Sequence, residues 1–269
     1  MGLAVNWAPW CRFRTYAMNK YLVAVGLIGS LYSCRTDPPV EPPPVISPSE
    51  AMLRVHVVPE WNDQPFQDFT EYRAPGDYRF QVELLRFYLS EIKLVNDAGE
   101  QLIGTVKLLD MGQGEYDIDF VVPEGSWYGL RAGLGLPHDL NYTNAALYGD
   151  GHPMSVNTGM YWSWATGYKF VLFDGRYNPD PLSTSPLLSP FSVHTGMDTC
   201  YTTMDLFPAL PFSTAKDSMT EVTLRVAVDG FLQTPEETIN VTLENQSHGS
   251  NYPLALKLTR NVKRSLHME

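Results

Sequence analysis

The sequence predicts an all-β domain: a single antiparallel β-sandwich, Ig-like or a flattened barrel, with long site-forming loops. Three observations carry that prediction. Apolar residues make up 44% of the 269 and charged residues 18%, enough to bury one large core or two small ones. The 21 Pro and 20 Gly beside 12% aromatics point to many turns joining short, aromatic-rich strands. Several segments alternate apolar and polar side chains with the period of two that a half-buried strand requires. No spacing of ~20 to 50 residues repeats, which argues against a solenoid or propeller.

In chain order, Leu53, Val55 and Val57 alternate with Arg54 and His56 and read as the first strand. Residues 80–95 mix periods and fit either a bulged strand or a short helix followed by a strand. Tyr116, Ile118 and Phe120 alternate with Asp117 and Asp119. Residues 134–159 read as a long loop. Met160, Trp162, Trp164, Thr166, Tyr168, Phe170 and Leu172 then share one face if the segment is a single strand without a bulge at Gly167. A second long loop is predicted at 174–203. Val222, Leu224, Val226 and Val228 form another strand, and Ile239, Val241 and Leu243 a last one, with Asp229-Gly230 and the Pro235 region as the turn between. Loops of such length in a compact domain usually build a site.

The N-terminus has the layout of a secretory leader beginning at Met18, with Lys20, an apolar stretch from Tyr21 to Leu31, and small Ser33. Residues 1–17 fit no part of such a signal and read as lying upstream of the true start. Leu31-Tyr32-Ser33-Cys34 resembles a bacterial lipobox, so residues 1–33 are expected to be removed and Cys34 acylated. A short membrane anchor with an ordinary thiol at Cys34 is the lesser reading, since the apolar stretch falls below the roughly 20 residues of a span. Residues 34–49 hold six prolines between Pro38 and Pro48 and form an extended spacer. Residues 50–269 are the folded domain.

Charge and cysteine content exclude several classes. The formal net charge is −11, and no stretch gathers Lys or Arg into a stripe that would track phosphates, so nucleic acid is a poor partner. Loss of Arg12, Arg14 and Lys20 with the leader takes the charge to about −14, a surface that would steer a basic extracytoplasmic redox partner. Cys11 leaves with the leader and Cys34 is acylated, so Cys200 has no partner for an intramolecular disulfide. No Cys-x-x-Cys-His haem attachment, Gly-x-Ser-x-Gly elbow, His-Glu-x-x-His helix or phosphate-cradling loop occurs, and the chain reads as a binder rather than an enzyme.

The bland reading of the aromatic stripe from Met160 to Leu172 is hydrophobic core. The sharper one uses its neighbours: His152 on the first long loop and His194 on the second, two imidazoles able to grip copper, zinc or iron, with His248 a weaker third. Met154, Met160 and Met197 add thioethers suited to Cu(I).

The segment HPMSVNTGMYWSWATGYKFVLFDG, the later HTGMDTC and the earlier RFYLSEIKLV resemble the MbnP-like family, periplasmic or surface proteins found beside methanobactin genes and widely as bacterial lipoproteins. The motif Met-x-Trp-x-Trp-x-x-Gly-Tyr-x-Phe is met by Met160, Trp162, Trp164, Gly167, Tyr168 and Phe170, and the resemblance runs from about Leu53 to about Val262. It implies copper binding through histidines and a kynurenine made from one tryptophan, in the periplasm or at the outer membrane. The oxidised residue would be Trp162 or Trp164, the ligands His152 and His194, with His248 in the place of a C-terminal histidine of the family. The implied partner is a di-haem cytochrome c peroxidase homologue. A carbohydrate-binding or glycan-uptake lipoprotein and a structural or adhesive surface module remain as alternatives.

Overall fold

A computed structural model describes residues 50–163, 165–248 and 251–269. Cys34, the leader, the proline spacer and Trp164 lie outside these residues. Alternation along Ala51–Trp61 is regular, and every second side chain is buried. This strand lies antiparallel to Tyr116–Val122 on one side and parallel to Met219–Ala227 on the other. Gln64–Pro65 and Leu266–Met268 complete this sheet.

The larger sheet runs in the order Thr202–Leu206, Gly129–Leu134, Tyr78–Asn96, Gly167–Asn178, Ser189–Gly196 and Gln246–Ser247. Glu71–Ala74 and Gly99–Asp110 also pair with Tyr78–Asn96, and Tyr161–Ser163 folds back on Gly167–Asn178. Leu53, Val55, Val57, Leu224 and Val226 of the smaller sheet meet Phe80, Phe87, Val171, Phe173 and Val193 of the larger in one core, which makes the fold a β-sandwich.

The first half of Gly167–Asn178, to Phe173, is buried on both faces, because its side chains alternate between two cores. Val171 and Phe173 enter the main core. Tyr168, Phe170 and Leu172 point the other way, into a second cluster with Tyr88, Leu136, Met154, Met160, Cys200 and Ala255. That cluster is roofed by the loop of residues 135–160, which the Tyr88 hydroxyl holds by donating to Pro153 O at 2.9 Å and the Tyr168 hydroxyl by donating to Met154 O at 2.9 Å. Burial raises both phenol pKa values, so both hydroxyls stay donors.

The structure decides one open alternative and revises four expectations. Residues 80–95 belong to one strand, Tyr78–Asn96, with a register shift between Ile92 and Lys93, so the bulged-strand alternative is the observed one. The stripe from Met160 to Leu172 is a hairpin rather than one strand, because Gly167 turns at φ +72. The loop predicted at 174–203 is half sheet, with only 179–188 left as a long loop: alternating Phe191, Val193 and Thr195 extend a strand over Ser189–Gly196. The strand expected at Ile239–Leu243 is a turn, in which Ile239 and Val241 plug the core while Leu243 stays exposed. Finally, two strand pairs are parallel, and a helix, Tyr252–Arg264, follows the sheet. Leu254, Leu258 and Val262 recur at helical spacing on its buried side, and Asn251 caps it by accepting from Leu254 N–H.

On the outer face of the smaller sheet, His56 lies 2.7 Å from Asp117, opposite it in register. That hydrogen bond, opposed by slight burial, raises the imidazole pKa. A raised folded-state pKa gives stability that is fully present below the ordinary value and lost as pH rises through the shifted one. The pair is partly exposed, so His56→Gln is expected to remove less than about 1 kcal/mol below neutrality and nothing above the shifted pKa. Urea unfolding at acid and alkaline pH reads the difference.

Candidate functional site

Register assembles the most chemically distinctive cluster. Because Phe191 and Val193 face the main core, Ser192 and His194 face the opposite side of the same strand. Asp174 stands opposite Ser192 on the neighbouring strand, one step diagonal from His194. On the far side, Ser192 and Val193 pair in parallel with Gln246 and Ser247, so the next residue, His248, arrives beside His194. Their ring centroids are 4.9 Å apart.

The hairpin strand Tyr161–Ser163 brings Trp162 to the same place. Its half-buried indole meets the His194 ring edge-on at 5.9 Å and the His248 ring at 6.5 Å. Gly196 lets the neighbouring backbone approach closely, since a Cβ there would lie 2.8 Å from Tyr168 O, while the indole at 3.5 Å is in ordinary contact range.

A chain of hydrogen bonds orders the protons. Asp174 Oδ1 accepts from Ser192 Oγ–H at 2.7 Å and from His194 Nε2–H at 2.8 Å. The Ser192 oxygen then accepts from His248 Nε2–H at 2.8 Å, and His248 Nδ1 accepts from the Gln246 amide at 3.1 Å. His194 is 7% exposed, and among the described residues its buried Nδ1 has no hydrogen-bond partner. Burial opposes the Asp174 anion, but His194, Ser192 and Lys169 outweigh it, so its pKa falls below the ordinary carboxylate value. Burial and the neighbouring His194 lower the His248 pKa, which favours the neutral, ligating form.

Ser192, His194 and Asp174 are the residue types of a hydrolytic triad, yet the geometry is wrong for one. Serine and carboxylate address the same imidazole nitrogen, and the serine proton goes to the carboxylate, so no base activates the hydroxyl.

Beside His194 and Trp162 opens a narrow pocket also lined by Met197, Cys200 and Tyr252, with ≈ 10 Å³ available, room for about one water-sized particle. Cys200 is a free, buried thiol, and Met197 Sδ accepts from the Tyr252 hydroxyl at 3.0 Å. Soft sulfur atoms beside an imidazole suit a cuprous ion. Among the described residues, no three His, Cys, Asp or Glu form a ready-made metal cage. Indole offers no lone pair to a cation, so as it stands the cluster is an incomplete donor set.

Of the residues singled out in the sequence, His194, His248 and Trp162 come together. His152 is set against Tyr148, the rings stacked at 4.4 Å, and its Nδ1 accepts from Met154 N–H at 3.0 Å. Asp174 and Ser192 were not anticipated. Only the strand pairing reveals them, although Asp174 sits at the end of the recognised motif.

A family model described as MbnP matches residues 50–252. No curated protein is significantly similar to the chain. Among solved structures, MbnP from Methylosinus trichosporium is similar at 14% identity, over 68% of this chain and 77% of that one, with a TM-score of 0.44.

Proposed function

The chain belongs to the MbnP family, and from that premise we propose that it is an extracytoplasmic copper-binding protein, tethered by a lipid on Cys34, whose centre is built from His194, His248 and residue 162. The observation that carries this reading is the meeting of two imidazoles with one indole, at 4.9, 5.9 and 6.5 Å. Met197 and Cys200 on the adjoining pocket wall favour Cu(I).

Oxidation of Trp162 would complete the donor set. Cleavage of the indole C2–C3 bond inserts an oxygen atom at each carbon, and hydrolysis then releases C2 as formate, leaving an aryl amine and a ketone within reach of both histidines. The oxidising equivalents come from peroxide or dioxygen through a di-haem peroxidase partner. Trp162 suits that role because it is half-buried beside the imidazoles, whereas Trp61 and Trp127 are sealed in the main core. The same placement disfavours sugar binding, which needs a tryptophan face open to solvent.

Protein isolated from its own source is expected to yield a tryptic peptide with kynurenine at residue 162. Wholly unmodified Trp162 in that material would overturn the maturation step.

A further inference from the structure

We propose that Asp174 is the positioning carboxylate of this centre: by holding the His194 proton on Nε2, it leaves Nδ1 as the bare nitrogen that ligates the metal. The inference rests on the copper reading above and adds which atom binds and what aims it.

An ionised carboxylate only accepts hydrogen bonds, so both partners of Asp174 Oδ1 must donate to it. His194 is therefore protonated at Nε2, 2.8 Å away, and Ser192 gives up its only hydroxyl hydrogen at 2.7 Å. This leaves the serine oxygen to accept from His248, which fixes the second ring in the same tautomer. The two rings then differ. His248 Nδ1 is held by the amide of Gln246, an exposed side chain that must swing away before His248 can ligate, whereas His194 Nδ1 is buried and, among the described residues, has no donor to accept from.

A buried nitrogen lone pair without a partner is a standing cost of about 1–3 kcal/mol in a folded protein, and an incoming cation relieves it. A carboxylate behind an imidazole is also the arrangement that orients metal-ligating histidines and raises their basicity. Asp174 and His194 lie on paired strands of one sheet, so the register holds their backbones one diagonal step apart on the same face.

The discriminating variant is Asp174→Asn, because its amide can donate to Nε2 and drive the proton onto Nδ1. The full-length chain isolated from its own source, with kynurenine at residue 162, is titrated with Cu(I) against bicinchoninate, and histidine ¹⁵N shifts are recorded on the metal-free protein. The wild type is expected to show His194 protonated at Nε2. Asp174→Asn is expected to show the proton moved to Nδ1 and Cu(I) binding weakened by about 10- to 100-fold. A wild-type His194 protonated at Nδ1 overturns the proposal whether or not the variant folds, and so does a folded variant that binds Cu(I) as the wild type does. A wild-type chain that takes up no copper fails the copper reading itself, a result separate from equal binding by both chains.

Discussion

His194→Ala is expected to weaken Cu(I) binding by about a hundredfold or more, on the order of 3 kcal/mol, while the protein remains folded. The effect on binding is large because this residue contributes the one imidazole nitrogen that, among the described residues, is buried and bare, on a ring that lines a pocket with Trp162, Met197 and Cys200. The effect on stability is smaller. Asp174 keeps the Ser192 hydroxyl and stays partly solvated, so the loss of one hydrogen bond and some packing costs about 1–3 kcal/mol. His248→Ala, at an exposed position, is expected to weaken copper binding with almost no change in melting temperature. Chelator competition and thermal unfolding on the same samples separate the two quantities. Unchanged Cu(I) affinity in a folded His194→Ala protein would contradict the assignment.

The second large effect is on the fold. Gly167→Ala is expected to destabilise the protein by roughly 3–5 kcal/mol, the sum of backbone strain at positive φ and a broken buried hydrogen bond. The backbone there sits at φ +72, and a Cβ would come within 2.3 Å of Asn141 Oδ1 and 2.5 Å of Asn141 O. Asn141 is fully buried, and the same Oδ1 accepts the Tyr168 N–H at 2.8 Å, so relief of the clash sacrifices that bond. A domain of this size should lose roughly 10 °C in melting temperature. Because Gly167 also turns the hairpin that carries Trp162, the indole fluorescence should shift as well. Gly149→Ala, where nothing lies within 4 Å, is the control expected to be near neutral. Equal melting of the two variants would show that the turn does not depend on glycine.

How much of this was legible in the sequence follows from the range of each interaction. The alternation in Ala51–Trp61 and Met219–Ala227 announces strands because each buries one face against the other sheet. The first half of Gly167–Asn178 defeats that logic: with a core on both sides, burial is nearly continuous to Phe173, and the period of two shows only from Phe173 to Asn178. The Pro- and Ser-rich run near 181–190 likewise hides the start of Ser189–Gly196, so His194 reads as a loop residue when it stands on a fixed strand. The helix over Tyr252–Arg264 was readable from Leu254, Leu258 and Val262, with Asn251 as cap and Lys263 and Arg264 at its end, a spacing of four that a search for period two passes over.

The site divides the same way. His194, His248 and Trp162 could be named because imidazole and indole are chemically unusual wherever they occur. Their grouping could not be, because it comes from parallel pairing of Ser192 with Gln246, 54 positions apart in the chain. Asp174 and Ser192 are ordinary residue types, and only their register across the strand pair gives them a role. His152, suggested as a ligand by its proximity in sequence to the tryptophan motif, stacks on Tyr148.

The most direct test is anomalous diffraction at the copper edge from crystals of the copper-loaded full-length chain. One peak at bonding distance from His194 Nδ1, beside His248 and residue 162, is the expected result. A peak elsewhere, such as at His56 and Asp117 on the opposite sheet, or no peak at the histidine pair, would contradict the assignment of this cluster as the copper centre.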